Sequence, residues 1–318
     1  MHLVETMAYV GERPWHGLGN KLASGQSLEQ WRQSAGMDWE IEESQVHFIN
    51  GKGGVGSLHE YPEQKVLYRS DTKRPLAVVS RRFQVVQPEE ILEFYRDLTE
   101  DAGFELETAG VLREGKKFWA LARTGQSATL KGKDQVNGYL LLATACDGSL
   151  ATTAQFTSVR VVCNNTLQIA LGDNRGAVKV PHRSEFNADA VKQQLGITVA
   201  PWNRFVAQMK DLVACPVDPD SVDGLLRRVL VYPGQAGKAP VVNEQAVRSV
   251  RALYDGGGRG AQLASSRGTA WGLLNSVTEY VDHHRRARSD DHRREAAWFG
   301  QGAQFKQRAW DELVQLTA

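Results

Sequence analysis

The chain has 318 residues and a formal net charge of +1 at pH 7, with 42% hydrophobic and 24% charged residues. This near-average composition excludes wholesale disorder, and no uncharged apolar run approaches the roughly 18 residues that a membrane span requires. The length fits one large domain or two ordinary ones, and residues 1–10 carry Glu5 without a basic lead into an apolar run, so a cytoplasmic protein without a secretory signal is expected.

In chain order, residues 39–50 place Trp39, Ile41, Val46, Phe48 and Ile49 in a loose alternation. A glycine cluster at 51–56 follows, then short apolar runs at 65–68 and 76–80, a pattern of successive antiparallel strands joined by turns. Pro88-Glu89-Glu90 opens a helix, since proline suits a first turn and carboxylates suit the positive helix end. Its apolar face is Ile91, Leu92, Tyr95 and Leu98, and Gly103 ends it. Residues 104–113 and 116–123 form a hairpin through Glu114-Gly115. The apolar segment 138–145 predicts a central strand covered on both faces, and Asp147-Gly148 turns it into a strand over 151–162. Residues 164–171 read as a helix start capped by Asn164 or Asn165.

The second half changes period. Helices are predicted over 187–195 and 202–213, the latter with Phe205, Val206, Met209 and Leu212 on one face, before Cys215-Pro216 breaks the run. Further helices follow over 221–230, with Ser221 as cap, and 243–254, with Asn243 as cap. Residues 232–240 are a loop, 255–260 a flexible break, and 269–288 and 295–316 two closing helical stretches. The fold class is therefore α+β, with a strand-rich N-terminal half holding an antiparallel sheet and packed helix, then a helical C-terminal half. The division falls between a sheet-rich core domain, 1–186, and a helical region, 187–318.

Four constellations bear on chemistry. Cys146, Cys163 and Cys215 are too scattered for a disulfide framework or zinc ribbon, and each reads as a small buried apolar residue or an idle thiol. FINGKGGVGS at 48–57 resembles the deviant phosphate loop of partitioning-type ATPases but lacks the lysine after its last glycine, and Pro62 denies it a following helix. It reads as a hairpin turn, and no cofactor is expected. Asp282, His283, His284, Asp290, Asp291 and His292 are metal-binding types, but adjacent histidines diverge by about 100° on a helix. Five arginines crowd the same stretch, so no metal is expected. The fourth constellation is basic and aromatic: residues 65–87 hold six basic side chains against one acid, Asp71. Single-stranded nucleic acid calls for cations along its phosphates and flat rings that stack bases for about 1–3 kcal/mol each. On this reading Arg81, Arg82, Lys116, Lys117 and Arg160 hold phosphates, Phe83 and Trp119 stack bases, and Asn164 and Asn165 position backbone. No nucleophile elbow or paired-carboxylate signature points to a catalytic residue, and His16 in the Trp15-His16-Gly17 turn carries none alone.

Several segments together resemble a family of phage- and plasmid-borne proteins known as domain of unknown function 932. They are Trp15-His16-Gly17-Leu18-Gly19, SRRFQVVQ at 80–87, ETAGVL at 107–112, Asp147-Gly148-Ser149, VVCNNTL at 161–167 and TAWGLLNSVTEYVDHH at 269–284. The resemblance places the protein on a mobile element and carries no activity residue by residue. More distantly, the order of strand meander, helix and basic-aromatic hairpin is similar to single-strand annealing recombinases. That similarity implies an ATP-independent, homo-oligomeric protein that binds single-stranded DNA and anneals it. The competing expectations are a nucleotide- or metal-dependent enzyme acting on nucleic acid, and a non-catalytic assembly protein whose basic face meets an acidic protein partner.

Overall fold

Strand alternation dominates the first half and helical periodicity the second, and the element order follows. The computed structural model describes every residue except 1–3, 12–18, 52–55, 161, 163–164, 169–176, 196–198, 233–238 and 318. Strands β1 (Val4–Val10) and β2 (Asn20–Leu22) precede helix α1 (Leu28–Ser34), then come β3 (Ile41–Asn50), β4 (Ser57–Arg69) and β5 (Pro75–Ser80). Helices α2 (Pro88–Glu93) and α3 (Arg96–Glu100) lead into β6 (Glu105–Leu112), β7 (Lys117–Leu130), β8 (Asp134–Ala145), β9 (Thr152–Arg160), β10 (Asn165–Gln168) and β11 (Ala177–Val180). The helical half holds α4 (Ala188–Leu195), α5 (Val199–Ala214), α6 (Val222–Val229), the small pair β12 (Val231–Tyr232) and β13 (Val241–Val242), and α7 (Glu244–Ala252). It closes with α8 (Ala270–Glu279), α9 (Asp290–Phe299) and α10 (Gln301–Gln315). The expected α+β division is what the chain adopts.

The main sheet runs β10-β9-β8-β7-β6-β1-β2, with β11 also on β9. It is antiparallel apart from the β1–β2 pair. β8 is its predicted central strand and is buried on both faces: Leu140 and Leu142 face the principal core, Tyr139 and Leu141 a second cluster with Met7 and Trp119. A glycine is required at 110, where a Cβ would stand 2.4 Å from the Trp119 ring and 2.7 Å from Met7. The Pro88 helix starts as predicted, with a capping box between Gln87 and Glu90, but it ends at Glu93, and Leu98 falls on the separate helix α3 before Gly103. Just beyond it, the buried Tyr95 hydroxyl reaches the carbonyls of Ala120 at 2.8 Å and Leu140 at 3.0 Å, fixing this helical segment to the sheet.

A separate meander, β3-β4-β5, carries the long hairpin around the glycine cluster. Its base is held by Ile41 and Leu67 in the core and by Arg69, which lies over Trp39 at 4.0 Å and bonds Asp71 at 2.7 Å. That bond to Arg69 pulls the Asp71 carboxyl down to about 2.

Further sequence expectations are corrected, among them the closing stretch 295–316, which Gly300 divides between α9 and α10. Residues 165–168 are strand, not helix, because Asn165 pairs with Arg160 in a ladder on β9 that outbids the local capping signal. Ser221 precedes α6 but caps nothing; its hydroxyl donates to the Asp218 carbonyl instead. The stretch 269–288 is not one helix, since a π-helical turn over Tyr280–His284 follows α8 and ends it. The predicted cap at Asn243 forms, and Thr269 caps α8 as well, each side chain accepting a backbone N–H three residues on.

Candidate nucleic-acid interface

The expected phosphate and base contacts separate into two sets. Arg160 is buried and spent: its Nε and Nη2 donate to both carboxylate oxygens of Asp134 at 2.7 and 2.6 Å, and Nη2 also reaches Ser266 Oγ at 2.7 Å. Asp134 further accepts from Ser265 Oγ at 2.6 Å and Trp271 Nε1 at 2.9 Å. Burial alone would raise the Asp134 carboxyl, but these donors outweigh it and hold it below the usual value. Lys117 is 5% exposed and paired with Glu295, which Arg113 bonds at 2.6 Å from the other side. Trp119 is 3% exposed in the second cluster, against Met7, Leu141 and Ala143. A ring so placed stacks no base, and cations so paired hold no phosphate. Phe83 is likewise buried, with its ring face stacked on His182 at 4.3 Å. These four are structural, a correction that follows from strand faces the sequence leaves open.

The remaining residues stand differently. Arg81 and Arg82 are exposed in the turn after β5. The Arg81 side chain donates to the Pro62 carbonyl at 3.4 Å, and neither arginine has an ion pair among the described residues. Lys116 is half-buried beside the Asp147-Gly148-Ser149 turn, its carbonyl accepting the Cys146 N–H at 2.9 Å. Asn165 sits on β10, an edge position, while Asn164 lies outside the described residues, as do His16 and most of the glycine cluster.

A loop that carried no motif joins the exposed set. The Gln84 N–H donates to the His182 carbonyl at 2.5 Å, and His182 Nδ1 meets the Gln84 carbonyl at 3.2 Å. His182 Nε2 contacts the Leu150 carbonyl at 2.9 Å. Through these bonds the turn at Arg81 and Arg82, the Asp147 turn and the Pro181–His182–Arg183 corner form one surface over the Phe83–His182 stack. Arg183 is exposed there without an ion pair among the described residues, and Lys179 is exposed on the β11 strand just before it. The nearby carboxylate Asp147 is occupied by Ser149, whose N–H donates at 3.0 Å. Segments about 100 residues apart, each carrying exposed cations, are thus joined beside the Phe83–His182 stack. Only periodicity was available to find Arg183, and a loop has none.

Other chemistry finds less support. The glycine cluster joins β3 to β4, so a strand follows it where a phosphate loop needs a helix N-terminus. Among the described residues no three metal-binding side chains gather. Burial pushes the Cys146 thiol up to about 12, which keeps it protonated and unreactive. No helix among the described residues is long and apolar enough to cross a membrane. No curated protein and no solved structure matches the chain. The model of one family, described as domain of unknown function (DUF932), matches residues 75–298.

Proposed function

The chain belongs to the DUF932 family, whose description assigns no activity, and from the geometry above we propose that it binds single-stranded DNA without ATP. The resemblance of its meander-then-helix order to annealing recombinases extends the proposal to strand annealing, by a cytoplasmic, self-associating protein of a phage or plasmid. One observation carries it: Arg81, Arg82 and Arg183, exposed and free of carboxylate partners among the described residues, lie on two segments that the Gln84–His182 bonds and the Phe83–His182 ring stack hold together. A strand of phosphates laid along this surface displaces counterions at each guanidinium, and Lys116 and Lys179 extend the track. The backbone contacts give affinity without sequence preference, as annealing of arbitrary complements requires.

Fluorescence anisotropy with a labelled oligonucleotide tests the reading. Substituting Arg81→Gln, Arg82→Gln and Arg183→Gln together is expected to weaken binding. The plot of log affinity against log salt should also flatten, by about 0.7 for each lost contact on a single strand. An unchanged affinity and slope in the triple variant, with the fold intact by circular dichroism, removes the proposal.

A further inference from the structure

The β3–β4 hairpin is left without a use by that function. Beyond the end of β5, Val46–Asn50 and Ser57–Tyr61 pair only with each other, so the arm is a two-stranded ribbon. Such a ribbon is marginal in water by itself. It nonetheless exposes its large apolar side chains: Phe48 and Ile49 at 49%, Leu58 at 65% and Tyr61 at 40%. Val46 and Phe48 share one face with Tyr61 and His59, while Ile49 and Leu58 share the other. The β3 strand ends its sheet; the Gln87 side chain bonds the N–H and C=O of Ile41 at its base, and along the arm no further strand pairs with its outer edge among the described residues.

We propose that the β3 edge of this arm pairs antiparallel with β3 of a second copy of the chain, about a twofold axis at His47. The unpaired edge calls for a strand, and the sequence of β3 complements itself. With His47 opposite the partner subunit's His47, Val46 faces Phe48 of the partner subunit, Gln45 faces the partner's Ile49, and Ser44 faces the partner's Asn50. An aromatic ring opposite a β-branched side chain is a favourable cross-strand pair, and twofold symmetry makes it twice. No carboxylate faces another in this register. Charge disfavours a nucleic acid here: strands 46–50 and 57–61 of the arm carry Glu60 and no lysine or arginine, so they offer phosphates no permanent cation. The inference does not depend on the Arg81–Arg183 surface.

The test is sedimentation of the full chain at tens of micromolar, beside Val46→Lys/Phe48→Lys. The parent is expected to be a dimer or larger. The double variant should weaken self-association by about tenfold or more, with unchanged circular dichroism and unchanged oligonucleotide affinity. His47→Cys should form an intermolecular disulfide under mild oxidation, whereas the parent, with its own three cysteines, should not. A monomeric parent overturns the proposal, as does a double variant that still associates like the parent. Loss of oligonucleotide binding with association intact also overturns it, assigning the arm to DNA. Should the double variant misfold, the His47→Cys cross-link decides: its presence supports the pairing and its absence overturns it. Failure of the arginine triple variant to alter DNA binding leaves each of these outcomes unaffected.

Discussion

Asp134 anchors the sheet to the helical half through a single carboxylate. It accepts from Arg160, 26 residues away, and from Ser265 and Trp271, more than 130 residues away. Removing one member of a buried pair leaves an uncompensated charge, so Asp134→Asn is expected to cost about 3–5 kcal/mol in urea unfolding. The pH dependence carries a sign. The folded carboxyl lies below its unfolded value, so its contribution is present above about pH 4 and is lost as pH falls through the folded pKa. Asp134→Asn should therefore flatten the acid limb of stability against pH; a variant with the parent's acid limb would contradict the assignment. Pairing with acceptors distant in sequence, here and at Glu295, explains why Arg160 and Lys117 looked available in sequence. Cation and ring spacing were legible there, but the acceptors were not, since Glu295 lies 178 residues from Lys117. Arg81 and Arg82 were legible as exposed cations because a turn places both outside the sheet; Arg183 had no periodic neighbour to signal it.

Helix α8 shows what an element contributes beyond its residues. Every side chain from Ala270 to Glu279 is buried, including Asn275, Ser276 and Thr278, each of which bonds a backbone carbonyl of its own helix. A helix this enclosed admits no growth. A Cβ at Gly272 would stand 1.9 Å from the Ser266 carbonyl oxygen, in the loop whose serines hold Asp134 and Arg160. Gly272→Ala is expected to destabilise the chain by at least about 2 kcal/mol, measured as a lowered urea midpoint. A neutral effect would mean that this loop yields freely. Several elements were readable from period and caps: β8, the start of the Pro88 helix, the helix capped at Asn243, and the helical character of the stretch that opens at Thr269. The misreadings arose where a partner overrode local preference. Asn165 has the chemistry of a cap, but the open side of β9 recruits it into a ladder. The π-helical turn after α8 lies where Asp282 bonds Lys306 of α10 at 2.9 Å, a tertiary contact with no local signature.

At the scale of the molecule, the boundary near residue 187 separates secondary-structure types without separating cores. Val136, Leu140, Leu142 and Phe156 of the sheet belong to one cluster with Trp202, Met209, Trp271 and Phe305 of the helices. Gly138 is so close to α5 that a Cβ there would touch the Trp202 ring at 3.0 Å. The Ser265–Asp134 hydrogen bond and the Glu295–Lys117 pair cross the same boundary. Shared burial of this kind makes unfolding of one half expose the other, so the halves lose their stability together. Calorimetry of the full chain should therefore show a single transition that carries both the sheet and the helical signal. Residues 1–186 expressed alone should bind a hydrophobic dye and lack near-ultraviolet circular dichroism, because the sheet face that meets α5 and α8 would stand in water. Co-expression with residues 187–318 should restore both signals to native values. A cooperatively folded 1–186 fragment would instead mean that its own helices suffice to cover the sheet, and that the contacts across residue 187 add stability to a domain already complete.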